Sequence, residues 1–302
     1  MKQKYVLLLP LLLVSLTGCQ SHNHDNELIV VQASEWQTFI AGKDFDNTGL
    51  EVGLRCRSCG EIQKVEYEIV NGNNLKLDQT SVTLKSGDYS LEYGINVKEK
   101  YHLACLGDSL TYGHMWRNQA YPVYLGQDVT EDYEVGNFSY NGLSITGYGG
   151  SFKNPDERYI LRDEYKQSLE FKPDIIAIML GTNDATEWSK AEPTFEDEYH
   201  ILLDSYLELF PDLKVIMMVS LPVISPNQFD IPNTEINDYV NPIQREIADE
   251  YGFEVLDLRE EFEAVDDYQT KFLRPNDGVH FTEEGAKYVA ERVWDITKDL
   301  RF

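Results

Sequence analysis

The chain is poor in basic residues and lacks the common motifs that bind metals or phosphate. Its 302 residues include 26 Lys and Arg against 52 Asp and Glu, which gives a formal net charge of -26. Such a surface repels a phosphate backbone, so we expect no nucleic-acid partner, and anionic lipid surfaces are disfavoured for the same reason. The sequence contains no His-Glu-x-x-His pair, no second Cys-x-x-Cys pair and no Gly-rich loop followed by Lys-Ser/Thr. We therefore expect neither a metal ion nor another cofactor.

Only one long apolar run occurs, and it lies near the N-terminus. Residues 5–16 follow a short basic segment and are too few to span a bilayer comfortably. The run leads through Leu-Thr-Gly to Cys19, which resembles a bacterial lipobox. The resemblance implies a lipoprotein signal peptide over 1–18, lipid on Cys19 and a polar tether over 19–26; an ordinary secretory signal is the alternative. We expect a bacterial cell-envelope protein that is lipid-anchored outside the cytoplasmic membrane and meets the membrane through this lipid only.

Cysteine is scarce, with four residues in the whole chain. Cys19 is assigned to the lipid, and Cys105 lies in an apolar stretch where a small buried core residue is expected. Cys56 and Cys59 are separated by two residues, and a local disulfide between them is the leading interpretation for an extracytoplasmic protein. Free thiols are the alternative. A zinc site would lack two ligands, and a thioredoxin-type centre would lack its strand–helix context.

Residues 27–99 contain no stretch with helical periodicity and predict a small all-β domain. β-rich segments at 28–31, 63–70, 81–84 and 91–97 are separated by turn signals. The segment 42–52 resembles the opening of bacterial Ig-like domains, which implies a small β-sandwich that positions its neighbour or contacts carbohydrate. The linker that follows, 98–100, is short, so one face of this domain is expected to lie near the next domain.

From residue 101 onward, strands and helices alternate. Two helices are predicted to begin at capping threonines, Thr194 and Thr282. Such alternation predicts a parallel sheet with helices on both faces, in which ligands bind beyond the carboxyl ends of the strands. Predicted strands lie at 101–106, 132–137, 174–180, 214–220 and 253–257.

A serine, a histidine and an aspartate in this region predict nucleophilic catalysis. Ser109 follows the first strand on a tight Gly-containing turn, and a serine hydroxyl needs a neighbouring base to attack a carbonyl. His280 follows Asp277 by three positions, so the carboxylate can orient the ring and leave its other nitrogen for Ser109. Asp108 is expected to hold the turn of Ser109 rather than to react. The other histidines are placed in the tether, at a strand start, on a helix among acids or in the pocket wall: His22, His24, His102, His200 and His114.

Four sequence blocks resemble those of the SGNH (GDSL) hydrolases, which are named for the Ser, Gly, Asn and His of these blocks. Ser109 lies in Gly-Asp-Ser-Leu, Gly142 in Asn-Gly-Leu, Asn183 in Gly-Thr-Asn-Asp, and His280 in Asp-Gly-Val-His. The resemblance implies a triad of Ser109, Asp277 and His280. It also implies an oxyanion hole formed by the N–H groups of Ser109 and Gly142 and the amide of Asn183. For Gly142, a simple turn glycine is the alternative.

The resemblance further implies a flavodoxin-like three-layer α/β/α fold over residues 100–302, next to the smaller β-domain. The Gly-x-Ser-x-Gly elbow of the standard α/β-hydrolases is missing. The implied activity is that of a serine esterase that forms an acyl-enzyme. The segments 133–138, 171–176 and 179–184 look most like those of carbohydrate or sialate O-acetylesterases. Four aromatic residues near the predicted site are candidates for stacking on sugar rings, with a place in the core as the alternative: Tyr112, Trp116, Tyr148 and Trp188.

The predicted function is removal of acetyl groups from an O-acetylated carbohydrate, and the expected partner is a small-molecule or glycan ester substrate. Two alternatives within this fold are a lysophospholipase or thioesterase, and a transacetylase that shares the acyl-enzyme. An alternative of another class is a non-catalytic, glycan-binding surface lipoprotein in which residues 27–99 carry the function.

Overall fold

Residues 25–151 and 153–300 are described in a computed structural model of the chain. They form two hydrophobic cores, one built from buried residues between Leu28 and Val97 and the other from residues between Leu103 and Leu300. The division between the two cores falls at the predicted linker. The predicted signal peptide, Cys19 and nearly all of the tether lie outside the described residues.

The first unit consists of short strands in three small sheets. One sheet has the antiparallel order β1-β3-β4, another the antiparallel order β5-β6-β7, and β2 pairs with β8 in parallel. In β6, Val82 and Leu84 are fully buried while their neighbours are partly exposed, as expected for a strand with one face on a core. The strands are β1 Asn26–Gln32, β2 Thr38–Ile40, β3 Glu51–Cys56, β4 Ile62–Lys64, β5 Glu68–Val70, β6 Ser81–Ser86, β7 Tyr89–Gly94 and β8 Asn96–Lys98.

This unit is compatible with the predicted small β-domain, although two of the predicted segments are divided. Segment 63–70 is split between β4 and β5, and segment 91–97 is split because β7 and β8 belong to different sheets on either side of Ile95. Asn26, assigned to the tether from the sequence, pairs with Cys56 as the first residue of β1. The Ig-like character of the domain stays a prediction.

The second unit is built on a five-stranded sheet in which every pairing is parallel. Its order is β10-β9-β11-β12-β13, which is the flavodoxin-like order 2-1-3-4-5. The predicted flavodoxin-like α/β fold is therefore confirmed, with strand ends within about two residues of the prediction. The strands are β9 Tyr101–Gly107, β10 Tyr133–Ser139, β11 Ile175–Met179, β12 Lys214–Val219 and β13 Glu254–Asp257.

Helices cover both faces of this sheet. The first long helix, α2, packs against the last, α9, while α4 packs against α6, which gives the three predicted layers. No described helix combines the length and the apolar character needed to cross a membrane. The helices are α1 Ser109–Tyr112, α2 Tyr121–Asp128, α3 Asp163–Glu170, α4 Trp188–Leu209, α5 Asn233–Glu235, α6 Asn241–Tyr251, α7 Leu258–Glu263, α8 Tyr268–Lys271 and α9 Glu283–Thr297.

Of the two predicted helix caps, one is confirmed and one is wrong. Thr282 precedes α9, and its hydroxyl accepts a hydrogen bond from the N–H of Gly285 at 3.0 Å. Thr194 lies inside α4, which begins six residues earlier at Trp188 and contains Pro193. The buried ring of Trp188 stacks on Tyr239, outside this helix, with centroids 5.6 Å apart, so tertiary packing extends the helix past the local start signal.

The β-domain contacts the second unit at the amino ends of its parallel strands. The hydroxyl of Tyr101, the first residue of β9, donates to the carbonyl of Thr38 at 2.7 Å. Lys98 forms an ion pair with Asp174, which directly precedes β11. The junction therefore lies at the edge of the sheet opposite the carboxyl ends, where ligands are expected.

Candidate active site

Ser109 begins a one-turn helix at the carboxyl end of β9. The carboxylate of Asp108 caps this turn by accepting a hydrogen bond from the N–H of Leu110 at 2.9 Å. This is the role predicted for Asp108. Burial raises the pKa of Asp108 to about 7, with the nearby charge of Asp184 acting in the same direction. Ser109 itself is only half-buried, so its hydroxyl can meet a ligand.

The loop before α9 brings a histidine and an aspartate to this serine. His280 Nε2 lies 2.8 Å from Ser109 Oγ, and His280 Nδ1 lies 3.2 Å from Asp277 Oδ2. The other carboxylate oxygen of Asp277 accepts from the backbone N–H groups of Val279 and His280 at 2.8 and 2.9 Å. The structure thus brings together the three residues that the sequence predicts as a triad, in the order serine, imidazole, carboxylate.

The electrostatics of these groups favour a neutral imidazole beside an ionised carboxylate. Burial is the largest effect on His280 and lowers its pKa, while the hydrogen bond and charge of Asp277 act in the opposite direction. For Asp277, burial would raise the pKa, but the hydrogen bonds from His280 and Val279 outweigh it and the pKa is lowered. A neutral His280 with its Nδ1–H on Asp277 leaves Nε2 able to accept the proton of Ser109.

Gly142 and Asn183 follow the neighbouring strands and line the same cavity as Ser109. Gly142 has a φ of +75°, and a Cβ placed there would lie 2.2 Å from Ser151 Oγ, so both the backbone conformation and the close approach require glycine. Gly149 packs on the turn of Asn183, since a Cβ there would lie 1.9 Å from the Asn183 carbonyl oxygen. The strands that carry Ser109 and Asn183 are adjacent at the switch point of the sheet.

The amide of Asn183 is tightly held. Its Nδ2 donates to Asp108 Oδ2 at 3.1 Å and to the carbonyl of Leu143 at 2.8 Å. Because an amide nitrogen carries two hydrogens, donation to an oxyanion requires one of these bonds to be shared or released. Asp108 thus contacts both the helix turn of Ser109 and the side chain of Asn183. The oxyanion-hole roles of Ser109, Gly142 and Asn183 stay predictions.

A second buried carboxylate fixes the loop that carries Gly142. Asp184 accepts hydrogen bonds from the N–H groups of Ile145 and Thr146, both at 3.0 Å, and from the Thr146 hydroxyl at 2.7 Å. Burial raises the pKa of Asp184 to about 6, although these hydrogen bonds act against the shift. The loop after β10 is thereby tied to the turn after β11.

The cavity has a volume of about 280 Å³ and includes residues that the sequence did not assign to the site. Phe229, Asp230 and Ile231 come from the loop after β12, which was overlooked although it also follows the carboxyl end of a strand. His114 lines the cavity as predicted. The other lining residues are Asn141, Gly150, Ser151, Lys153 and Thr186.

The aromatic residues expected near the site differ in exposure. Trp116 is 49% exposed, with the guanidinium of Arg274 4.3 Å from the centre of one ring face. Trp188 is buried between Phe195 and Tyr239, so the expectation that it stacks on a substrate sugar is wrong. Tyr112 and Tyr148 are partly exposed.

The cysteines that the structure describes lie away from this cavity. Cys105 is fully buried in β9, as predicted. Cys56 ends β3 and is buried, whereas Cys59 is exposed in the tight turn that follows. The disulfide between these two residues stays a prediction.

A serine hydrogen-bonded to a carboxylate-oriented imidazole, at the carboxyl edge of a doubly wound parallel sheet, defines a serine hydrolase. The chain belongs to the GDSL-like lipase/acylhydrolase family, whose model matches residues 105–288. The predicted family is thereby confirmed.

Individual relatives agree with this assignment. An acetylxylan esterase from Xylanibacter ruminicola is 29% identical over 219 residues, which are 64% of the chain and 42% of that protein. The chain therefore spans about two-fifths of the length of that relative. A lipase/acylhydrolase from Enterococcus faecalis superposes with a TM-score of 0.52 at 20% identity, covering 66% of the chain and 95% of that structure. The acetyl xylan esterase AlAXEase superposes with a TM-score of 0.50 at 20% identity, covering 65% of the chain and 98% of that structure. At such identities these structures show the fold.

Proposed function

We propose that the protein is a serine esterase that removes acetyl groups from an O-acetylated carbohydrate. The observation that carries the proposal is the alignment of Ser109, His280 and Asp277 at one cavity, with Gly142 and Asn183 on its wall. The name of the acetylxylan esterase relative supports an acetylated polysaccharide as the substrate class.

In the proposed reaction, Ser109 Oγ attacks the ester carbonyl while His280 Nε2 takes the hydroxyl proton. Asp277 stabilises the imidazolium. The oxyanion receives hydrogen bonds from the backbone N–H groups of Ser109 and Gly142 and from the amide of Asn183, each contributing about 3 kcal/mol. The C–O bond to the alcohol then breaks, and His280 returns the proton to the leaving oxygen. Water attacks the acetyl-enzyme with the same base, releasing acetate and restoring Ser109.

The size and lining of the cavity support a short acyl group on a polar alcohol. A volume of about 280 Å³ is small for a site that must hold both parts of an ester. Asn141, Ser151, Lys153, Thr186 and Asp230 supply polar groups that suit sugar hydroxyls rather than a fatty chain. These features weigh against the lysophospholipase alternative.

Trp116 supports a sugar-binding role beside the cavity. It is half exposed and lies two residues from His114 of the cavity wall, while Arg274 covers one face of its ring. The amphipathic faces of a pyranose suit such an exposed ring. We expect Trp116→Ala to raise KM for an acetylated oligosaccharide, with little change for p-nitrophenyl acetate.

The activity is tested by chain-length preference and by acetate release. We expect the protein from residue 20 onward to hydrolyse p-nitrophenyl acetate faster than the butyrate and octanoate esters, and to release acetate from acetylated xylo-oligosaccharides. Ser109→Ala is the matched control and is expected to be inactive on all of them. A preference for octanoate would instead support a lysophospholipase, and oligosaccharide binding without turnover would support a non-catalytic role.

We further propose that lipid on Cys19 anchors the protein outside the cytoplasmic membrane. The support is the sequence around Cys19 and the apolar run before it. A Cys19→Ala variant of the full chain should move from the membrane fraction to the soluble fraction. Retention of the variant on the membrane to the wild-type extent would contradict the lipid anchor.

A further inference from the structure

A second imidazole lies against the predicted catalytic base. The ring of His114 stacks face to face on that of His280, with centroids 4.1 Å apart and planes inclined by 15°. Phe229 meets both rings edge-on, at 4.9 Å from His280 and 5.6 Å from His114. The imidazole that faces Ser109 is therefore held on one face by His114 and at its edge by Phe229.

The backbone of His114 is fixed to both segments that carry the triad. Its N–H donates to the carbonyl of Ser109 at 3.0 Å, two residues after α1 ends at Tyr112. Its carbonyl accepts from Arg274 Nη1 at 3.0 Å, and Arg274 in turn donates its backbone N–H to the carbonyl of His280 at 2.8 Å. Arg274 is buried and donates to the backbone carbonyls of both histidines, so it links the two segments that carry the stacked rings.

The ring of His114 also faces the cavity through its polar edge. Its Nδ1 lies 3.3 Å from Asn141 Oδ1, which makes Nδ1 the protonated nitrogen of the neutral ring. His114 and Asn141 both line the cavity with Ser109. The polar edge of His114 therefore faces the cavity while its ring face contacts that of His280.

Other charged groups of the described residues also lie around the stacked pair. Asp277 contacts His280, and Arg274 donates to the backbone carbonyls of both histidines. Lys153 and Asp230 line the cavity from two other loops. Of these residue types, imidazole is the one that normally changes charge between about pH 5 and 8. A positive charge on His114 disfavours a second one on His280. It therefore opposes the imidazolium that must form when Ser109 is deprotonated.

We propose that His114 is a positioning residue that holds the His280 ring against Ser109 when neutral, and that a proton on His114 suppresses the base. The proposal rests on the proposed function, because it concerns proton transfer in that same reaction. The rate should depend on two protons on the acid side, one on each ring.

The kinetic test compares His114→Phe and His114→Ala with wild type on p-nitrophenyl acetate. In wild type, the slope of log kcat/KM against pH should increase from about one to about two as the pH is lowered, because one proton and then two protons suppress the reaction. His114→Phe retains an aromatic face, so its kcat at neutral pH should exceed that of His114→Ala, and it should show a one-proton dependence throughout. His114→Ala should lower kcat by about tenfold to a hundredfold with little change in KM, because the base is misplaced.

His102→Phe provides the matched control. His102 is also partly buried and stacked, on Phe171 at 4.6 Å, but it lies near the amino end of β9, away from Ser109. The control should leave the pH profile unchanged. A two-proton dependence that persists in His114→Phe, or a kcat in His114→Ala equal to wild type, would overturn the proposal.

An NMR titration separates this proposal from the proposed function because it needs no substrate. The pKa of the His280 ring should rise in His114→Phe relative to wild type, since the neighbouring positive charge is removed. An unchanged His280 pKa would overturn the coupling even if the enzyme deacetylates carbohydrates. A raised pKa without any esterase turnover would overturn the proposed function and leave the coupling established.

Discussion

At the scale of single residues, the site depends on burying charged and polar groups in a set order. Burial lowers the pKa of His280, hydrogen bonds that outweigh burial lower the pKa of Asp277, and Ser109 Oγ lies 2.8 Å from His280 Nε2. Asp108 and Asp184 are buried, and the hydrogen-bond partners that the described residues offer them are neutral groups. Burial raises their pKa values to about 7 and about 6. The cost of burying these two carboxylates is offset partly by the N–H groups that they fix around the cavity.

The first prediction concerns pH. Because burial lowers the pKa of His280 from its usual 6.5, and because His280 must be neutral to act as a base, the acid-side midpoint of kcat/KM should lie below pH 6.5. Asp277→Asn removes the charge that raises the His280 pKa, so the midpoint should move lower still, and kcat should fall by about 10³–10⁴-fold. A pH profile of both proteins checks this.

The control for this prediction is Asp163→Asn, which removes an exposed carboxylate whose partner is Lys166. It should leave both the midpoint and kcat unchanged. A wild-type midpoint at or above pH 6.5, or near-normal turnover by Asp277→Asn, would contradict the assigned roles.

The triad could be predicted from sequence because each member carries a local signal. Ser109 follows a buried strand, and Asp277 and His280 are three residues apart in one loop. The stacking of His114 on His280 could not be predicted, because it joins residues 166 positions apart and depends on where the last loop returns to the sheet. The contacts of Phe229 were missed for the same reason.

At the scale of elements, the site is a set of loops after the parallel strands. The loop after β10 brings Gly142 to the cavity, and Asp184 of the turn after β11 fixes that loop through the N–H groups of Ile145 and Thr146. Loop conformation at Gly142 should therefore matter to catalysis as well as to folding.

The second prediction is that Gly142→Ala lowers kcat by about 10²–10³-fold, because the new Cβ would displace Ser151 and move a predicted oxyanion donor. Gly87→Ala is the matched control: Gly87 also has a positive φ, of +57°, but no atom lies within 4 Å of its Cβ position. The control should lose about 1–3 kcal/mol of stability without losing activity. Equal activity of the two variants would contradict the role of the Gly142 loop.

The strands of the parallel sheet could be predicted well because they are buried on both faces. All five residues of β11 are fully buried, and their continuous apolar sequence reflects this. Short edge strands in the β-domain gave weaker signals, so segment 63–70 was not recognised as two strands. The start of α4 was misplaced because Thr194 is a capping residue type, although Trp188 lies seven residues before Phe195, at helical spacing.

At the scale of the whole molecule, the β-domain and the cavity lie at opposite ends of the parallel strands. Lys98 pairs with Asp174, whose other oxygen accepts from the N–H of His102 at 2.9 Å. Ser109 lies at the far end of the strand that begins beside this contact. Changes at the junction should therefore affect stability without altering the chemistry.

The third prediction is that Asp174→Asn lowers Tm by about 3–6 °C, since it weakens a partly buried charged hydrogen bond of about 1–2 kcal/mol. Its kcat on p-nitrophenyl acetate should stay at the wild-type value. Lys43→Gln is the control, because Lys43 pairs with Asp132 at 3.1 Å at the same junction but is 52% exposed, so less than about 1 kcal/mol is expected. A large loss of activity in Asp174→Asn would show that the two ends of the sheet are coupled.

The division into two units and the parallel sheet could be predicted, because the pattern of apolar residues changes near residue 100 from strands alone to alternating strands and helices. How the β-domain contacts the sheet could not be predicted, because the contacts of Thr38 with Tyr101 and of Lys98 with Asp174 join segments whose sequences show no mutual signal.

The most direct test of the esterase mechanism is to trap the acyl-enzyme. Wild-type protein would be quenched with acid during turnover of p-nitrophenyl acetate, digested and examined by mass spectrometry, with Ser109→Ala treated in parallel. A single acetyl group on Ser109 in the wild type, with neither acetylation nor turnover in the variant, is the predicted result. Turnover that persists in Ser109→Ala, or acetylation at another residue that tracks turnover, would contradict the assignment of Ser109 as the nucleophile.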